Sequence, residues 1–175
     1  MLFRSVLITI DYTALYDDGY RNQIITRLNA NRTRGADCVF SLARDFPDQW
    51  YDLHNPTDPA SRSVTIGLRD VDFPIGIEGL TTAAIAVQLT SGEPVPATVV
   101  SLTRGTAGGA ATTFGGIAST RRGNAASWSS LYGASPGGDW RLSFDASAAA
   151  LFEAGALDDI VLVVSWGGQA PAWRP

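Results

Sequence analysis

The chain has no lysine, one cysteine, one histidine and one methionine among its 175 residues, and each shortage closes a class of chemistry. Without lysine, the glycine-rich stretch GTAGGAATTFGG (residues 105–116) cannot complete a phosphate-binding loop, which needs a lysine to reach the phosphates. It also fails as a dinucleotide fingerprint, because low-complexity sequence rather than a strand and a helix flanks it. The lone Cys38 excludes an intrachain disulfide, and one Cys with one His cannot supply the three or four ligands of a zinc site. His54 is the only imidazole, no G-x-S-x-G turn is present, and a Ser–His–Asp triad therefore lacks its nucleophile elbow. A net charge of −4 with an isoelectric point near 4.8 argues against a nucleic-acid surface, which requires a basic patch. No apolar run approaches the roughly 18 residues of a membrane span. The opening MLFRSVLITIDY reads as a first strand rather than a signal peptide, since Thr9 and Asp11 interrupt it and no small-residue cleavage site follows.

What is present is a globular composition, 45% hydrophobic and 17% charged, in one domain spanning residues 1–175. Short β-branched or alternating runs predict strands at 5–12, 37–42, 63–68, 82–90, 97–103, 139–144 and 158–166, the last nearly all apolar and therefore central. Tyr20, Ile24, Ile25 and Leu28 predict a short amphipathic helix from about Asp18 to Asn29. A second short helix follows Asp145 or Ser147 as N-cap and stops at Gly155. Residues 104–138 form a Gly/Ala/Ser-rich insertion with short strands expected near 114–119 and 128–132, and 167–175 reads as a tail. Many short strands separated by Gly/Pro turns predict a mainly β fold, a β-sandwich or jelly roll with two or three short helices.

The stretch FPDQWYDLHNP (46–56) has the ingredients of a small active site: His54, Asp48, Asp52, Trp50 and Tyr51. The spacing of Phe46, Trp50 and Leu53 argues instead for a turn of helix that buries those three, leaves Asp48 and Asp52 outside, and closes the edge of the sandwich. Asp45, Asp48, Asp52, Asp70, Asp72 and Glu78 cluster in the sequence, so a hydrolytic carboxylate pair or a calcium ion is a secondary possibility. No cofactor is otherwise called for, and the EF-hand loop pattern is absent. Cys38 reads as a buried, inert thiol and Trp140 and Trp166 as core. Trp50, Tyr51, Trp128 and Tyr132 are the candidate binding residues, because aromatics flanked by polar residues suit recognition of a protein or stacking on a sugar.

Four segments occur together in order: RSVLITIDYTALYDDGYRNQIITRLN, FSLARDFPDQWYDLHNP, VDFPIGIEGL and GDWRLSFDASAAALFEAGALDDIVLVVSWGGQAPAW. They resemble the C-terminal region of large bacterial proteins related to the A component of toxin complex (Tc) insecticidal toxins. In that family the region is the TcB-binding domain, and the Gly/Ala-rich segment lies outside the resemblance. The resemblance implies a non-enzymatic protein-docking module whose partner is another subunit of a toxin-like assembly. It further implies placement in a secreted bacterial assembly outside the cell. A carbohydrate-binding β-sandwich module is the alternative expectation.

Overall fold

The computed structural model describes residues 17–58 and 62–174; the strand expected at 5–12 lies outside the described residues. The structure is mainly β, with eight strands among the described residues: β1 (Thr33–Ser41), β2 (Arg62–Leu68), β3 (Glu78–Thr90), β4 (Val99–Arg104), β5 (Ala107–Thr112), β6 (Ile117–Ser119), β7 (Gly138–Phe144) and β8 (Asp159–Gln169). They form two four-stranded antiparallel sheets, in the orders β1-β8-β3-β6 and β2-β7-β4-β5. The ladders β1–β8, β2–β7, β3–β6 and β4–β5 are those of one long hairpin rolled into a sandwich, which is the jelly-roll arrangement. β8 is interior, as its apolar run demands, and pairs with both β1 and β3.

Alternation along the strands fills a single core from both sheets. Phe40, Ile85, Val87, Leu162 and Val164 come from one sheet, and Ile66, Leu102, Trp140, Leu142 and Phe144 from the other. Trp140 and Trp166 are both buried, as the pattern predicts. The tail begins later than the sequence suggests, because β8 continues through Gly167 and Gly168 to Gln169. There Gly35, opposite Gly167, lies so near the Trp166 carbonyl that a Cβ would stand 2.9 Å from it.

The described residues include four α-helices: α1 (Asp18–Ala30), α2 (Leu42–Asp45), α3 (Pro47–His54) and α4 (Ala149–Glu153). Asp145 caps the 3-10 turn that leads into α4 by accepting from Ser147 N–H, and Gly155 ends the segment at φ +59°. The described residues group into two compact units, one of residues 33–171 and one that contains α1 and residues 172–174. In the smaller unit Asp17 caps α1 by accepting from Tyr20 N–H at 3.0 Å. Asn29 grips the backbone of Trp173 with its amide, accepting from its N–H at 2.9 Å and donating to its carbonyl at 3.1 Å. The helix forms over the expected residues but is not amphipathic: Ile24 and Ile25 are half-buried, Tyr20 and Leu28 are exposed, and none of its residues is buried.

Candidate functional site

FPDQWYDLHNP folds as α3, with Pro47 in the first turn and Asn55 at the C-cap. Leu53 is fully buried, Phe46 and Trp50 are half-buried against the core, and Asp48 and Asp52 face outward. His54 Nδ1 lies 2.9 Å from the Trp50 carbonyl and therefore carries the donated proton, while Asn55 Nδ2 donates to the Tyr51 carbonyl at 3.0 Å. The imidazole sits between Trp50, 4.3 Å away by ring centroid, and Phe152 of α4 at 5.2 Å. It is a packed ring on local backbone, with no nucleophile or carboxylate bonded to it among the described residues.

Beneath α3 lies a residue that the sequence reading did not single out. Arg62, at the start of β2, is 4% exposed and donates from Nη1 to the Leu53 carbonyl at 2.7 Å. Its guanidinium stands 5.0 Å over the Phe152 ring and 3.6 Å from Glu153. One side chain thus satisfies a free carbonyl at the end of α3 and ties that helix to α4. A strand-initial arginine gives no sequence signal of burial, because arginine is nearly always exposed.

The Gly/Ala/Ser-rich insertion supplies the sharpest correction. Residues 128–132 form no strand; Ala126–Leu131 is a 3-10 helix, and Trp128, expected at the surface, is completely buried. Ala125, Trp128 and Leu131 recur every third residue, the 3-10 period, and put their side chains into the core together. The Trp128 indole N–H donates to the Gly109 carbonyl at 2.8 Å, so even its polar edge is satisfied internally. Tyr132 is 41% exposed and Tyr51 65% exposed. α3 packs on β2 and the 3-10 helix on β5, the two opposite edges of one sheet, about 14 Å apart over three strand spacings. The four candidate aromatics therefore do not converge on one surface.

A concavity of about 630 Å³ lies beside β1 and β2 and is lined by Val39, Phe40, Arg44, Asp45, Phe46, Gly67, Arg69 and Asp72. Its charges are committed to each other. Arg44 chelates Asp45 with Nε at 2.9 Å and Nη2 at 3.1 Å, and Asp72 takes the Arg69 side chain at 3.3 Å and its backbone N–H at 2.7 Å. The Arg44 guanidinium, and then the Ser41 N–H, hold the Asp45 carboxyl below the usual carboxylate range. Asp37 is also held low, first by the Ser165 hydroxyl at 2.5 Å and then by Arg121 at 3.2 Å. Burial pushes the half-buried Cys38 thiol up, away from the thiolate a nucleophile needs.

Among the described residues, no group of three or more His, Cys, Asp or Glu side chains is placed to hold a metal ion. Of the carboxylates clustered in sequence, Asp45 and Asp72 line that concavity, each in an ion pair, whereas Asp48 and Asp52 face outward and Glu78 opens β3. Among the described residues, no helix is long and apolar enough to cross a membrane. No protein-family model matches the chain, and no curated protein matches it.

Proposed function

We propose that the chain is a non-enzymatic protein-docking module, and that its partner is another subunit of a toxin-like assembly. The observation that carries this reading is the outer face of the β1-β8-β3-β6 sheet. The core takes Cys38, Phe40, Leu162, Val164, Ile85, Val87 and Ala118, so alternation turns Val39, Val161, Val163, Ala86 and Ile117 to the other side. Val39 is 55% exposed and the other four are half-buried. Val39, Val163 and Ala86 form one cross-strand row beside Val161, while Gln88 stands between Val161 and Ile117; a solvated sheet face ordinarily carries polar residues at such positions, and this aliphatic row favours a partner surface. The Asp37–Arg121 ion pair borders the patch, in the manner of a polar rim.

The resemblance of the terminal segments to the TcB-binding region supports a protein partner over a glycan. Sugar stacking calls for exposed rings on one surface, and the enclosed Trp128 and the opposite-edge placement of Trp50 give it no support.

The test is co-elution with the Rhs-repeat B-type component encoded nearest to this chain. Complex formation that survives Trp50→Ala and is lost on Val163→Arg supports the reading. A folded chain that forms no complex, or a complex indifferent to Val163→Arg, overturns it.

A further inference from the structure

The strand β5 is an edge that carries none of its defences in its own sequence. That sequence, AGGAAT, contains no charge and no proline, and among the described strands it pairs only with β4. Gly108 lies opposite Thr103 with φ +100°, where a Cβ would run into the Leu102 carbonyl, so the strand cannot acquire bulk there. Such a strand is a template for another strand.

Side chains from residues 124–131 occupy that template. Ser130 Oγ accepts from Gly108 N–H at 2.8 Å, Ser127 Oγ donates to the Ala110 carbonyl at 2.7 Å, and Asn124 Nδ2 donates to the Thr112 carbonyl at 2.9 Å. Positions 108, 110 and 112 are two residues apart, the spacing at which an antiparallel neighbour would bond. The buried Ala125, Trp128 and Leu131 hold these polar groups in place. Beside them an open groove of about 520 Å³, lined in part by Val99, Ala111 and Gly123, leaves the flank of the strand accessible.

We propose that residues 124–131 are a built-in competitor of strand addition, and that they keep β5 from pairing with β5 of a second copy of the chain. A second copy is the fitting occupant because AGGAAT is self-complementary: Gly and Ala meet Gly and Ala without a clash across an isologous antiparallel junction.

The test is the triple variant Asn124→Ala/Ser127→Ala/Ser130→Ala, which keeps Trp128. Near-ultraviolet circular dichroism should report a retained tryptophan environment. Sedimentation velocity should show self-association at least about tenfold tighter than in the unaltered chain, and adding Ala110→Lys should reverse it. A folded triple variant that sediments like the unaltered chain overturns the proposal, as does association that Ala110→Lys leaves intact. Should the triple variant not fold, amide exchange on the unaltered chain and on Ser130→Ala decides. Protection of the Gly108 amide should fall by about tenfold or more in the variant. No protection in the unaltered chain, or equal protection in both, overturns the competitor.

Discussion

The two edges of the β2-β7-β4-β5 sheet are sealed by different physics. At β2 the seal is α3, a short helix that inserts Phe46, Trp50 and Leu53 and lets Arg62 bind its last free carbonyl. At β5 the seal is a 3-10 helix whose hydroxyls, with the Asn124 amide just before it, bond the strand directly, over the buried Trp128. The first excludes water chiefly by apolar area. The second does so by replacing a neighbouring strand's hydrogen bonds one by one. An apolar seal tolerates approximate packing, whereas a polar one depends on individual groups at hydrogen-bond distance.

Three perturbations measure that difference. Trp128→Ala removes a fully enclosed ring together with its bond to Gly109, and should cost about 3–5 kcal/mol by denaturant midpoint. A loss below about 1 kcal/mol would mean that the β5 seal is only a surface turn. Arg62→Ala leaves the Leu53 carbonyl without its donor beneath α3 and should cost about 2–4 kcal/mol in thermal unfolding. Retained stability there would show that the β2 seal is wholly apolar. Trp50→Ala, at a half-buried position, should cost about 1–2 kcal/mol, and a value equal to that of Trp128→Ala would erase the contrast between the edges.

The smallest effect concerns the other sheet and shows in the pH dependence of stability. The Ser165 hydroxyl and Arg121 favour the charged form of Asp37 in the folded chain. That stabilisation is complete above the unfolded carboxyl's pKa of about 3.9 and is lost as pH falls through the lower folded value. Asp37→Asn should therefore lower stability slightly at neutral pH and flatten the acid limb, so that the two chains converge below about pH 4; an unaltered acid limb removes the Asp37 clasp from the account.

The same contrast explains what could be read from the residues. FPDQWYDLHNP displays its apolar period, its Pro start and its Asn stop, so the lid and the inert setting of His54 were legible. β2 and β7 were marked by alternation, and β3, β4 and most of β8 by short apolar runs between turns. The insertion was not, because its core residues are an alanine, a tryptophan and a leucine spaced by serines, and that polar setting suggested an exposed Trp128. The one available signal was the three-residue period of Ala125, Trp128 and Leu131. Arg62 had no signal, since its burial depends on Leu53, Phe152 and Glu153, which only the tertiary fold brings around it. The aliphatic outer face was hidden for a related reason: in β8 Val161 and Val163 belong to one side and Leu162 and Val164 to the other, and an unbroken apolar run conceals which.

The position of β8 also governs the order in which the chain can become a protein. Cys38 faces Val164 and Ala86 faces Val163, so both strands flanking β8 wait for the last strand to be made. A chain still on the ribosome can close the β4–β5 hairpin, whose partners are adjacent in sequence, yet β1 and β3 have no spine between them until residues 159–169 emerge. During synthesis β3 can pair with β6 beforehand, but β1 joins that sheet only as a late event, once β8 is made.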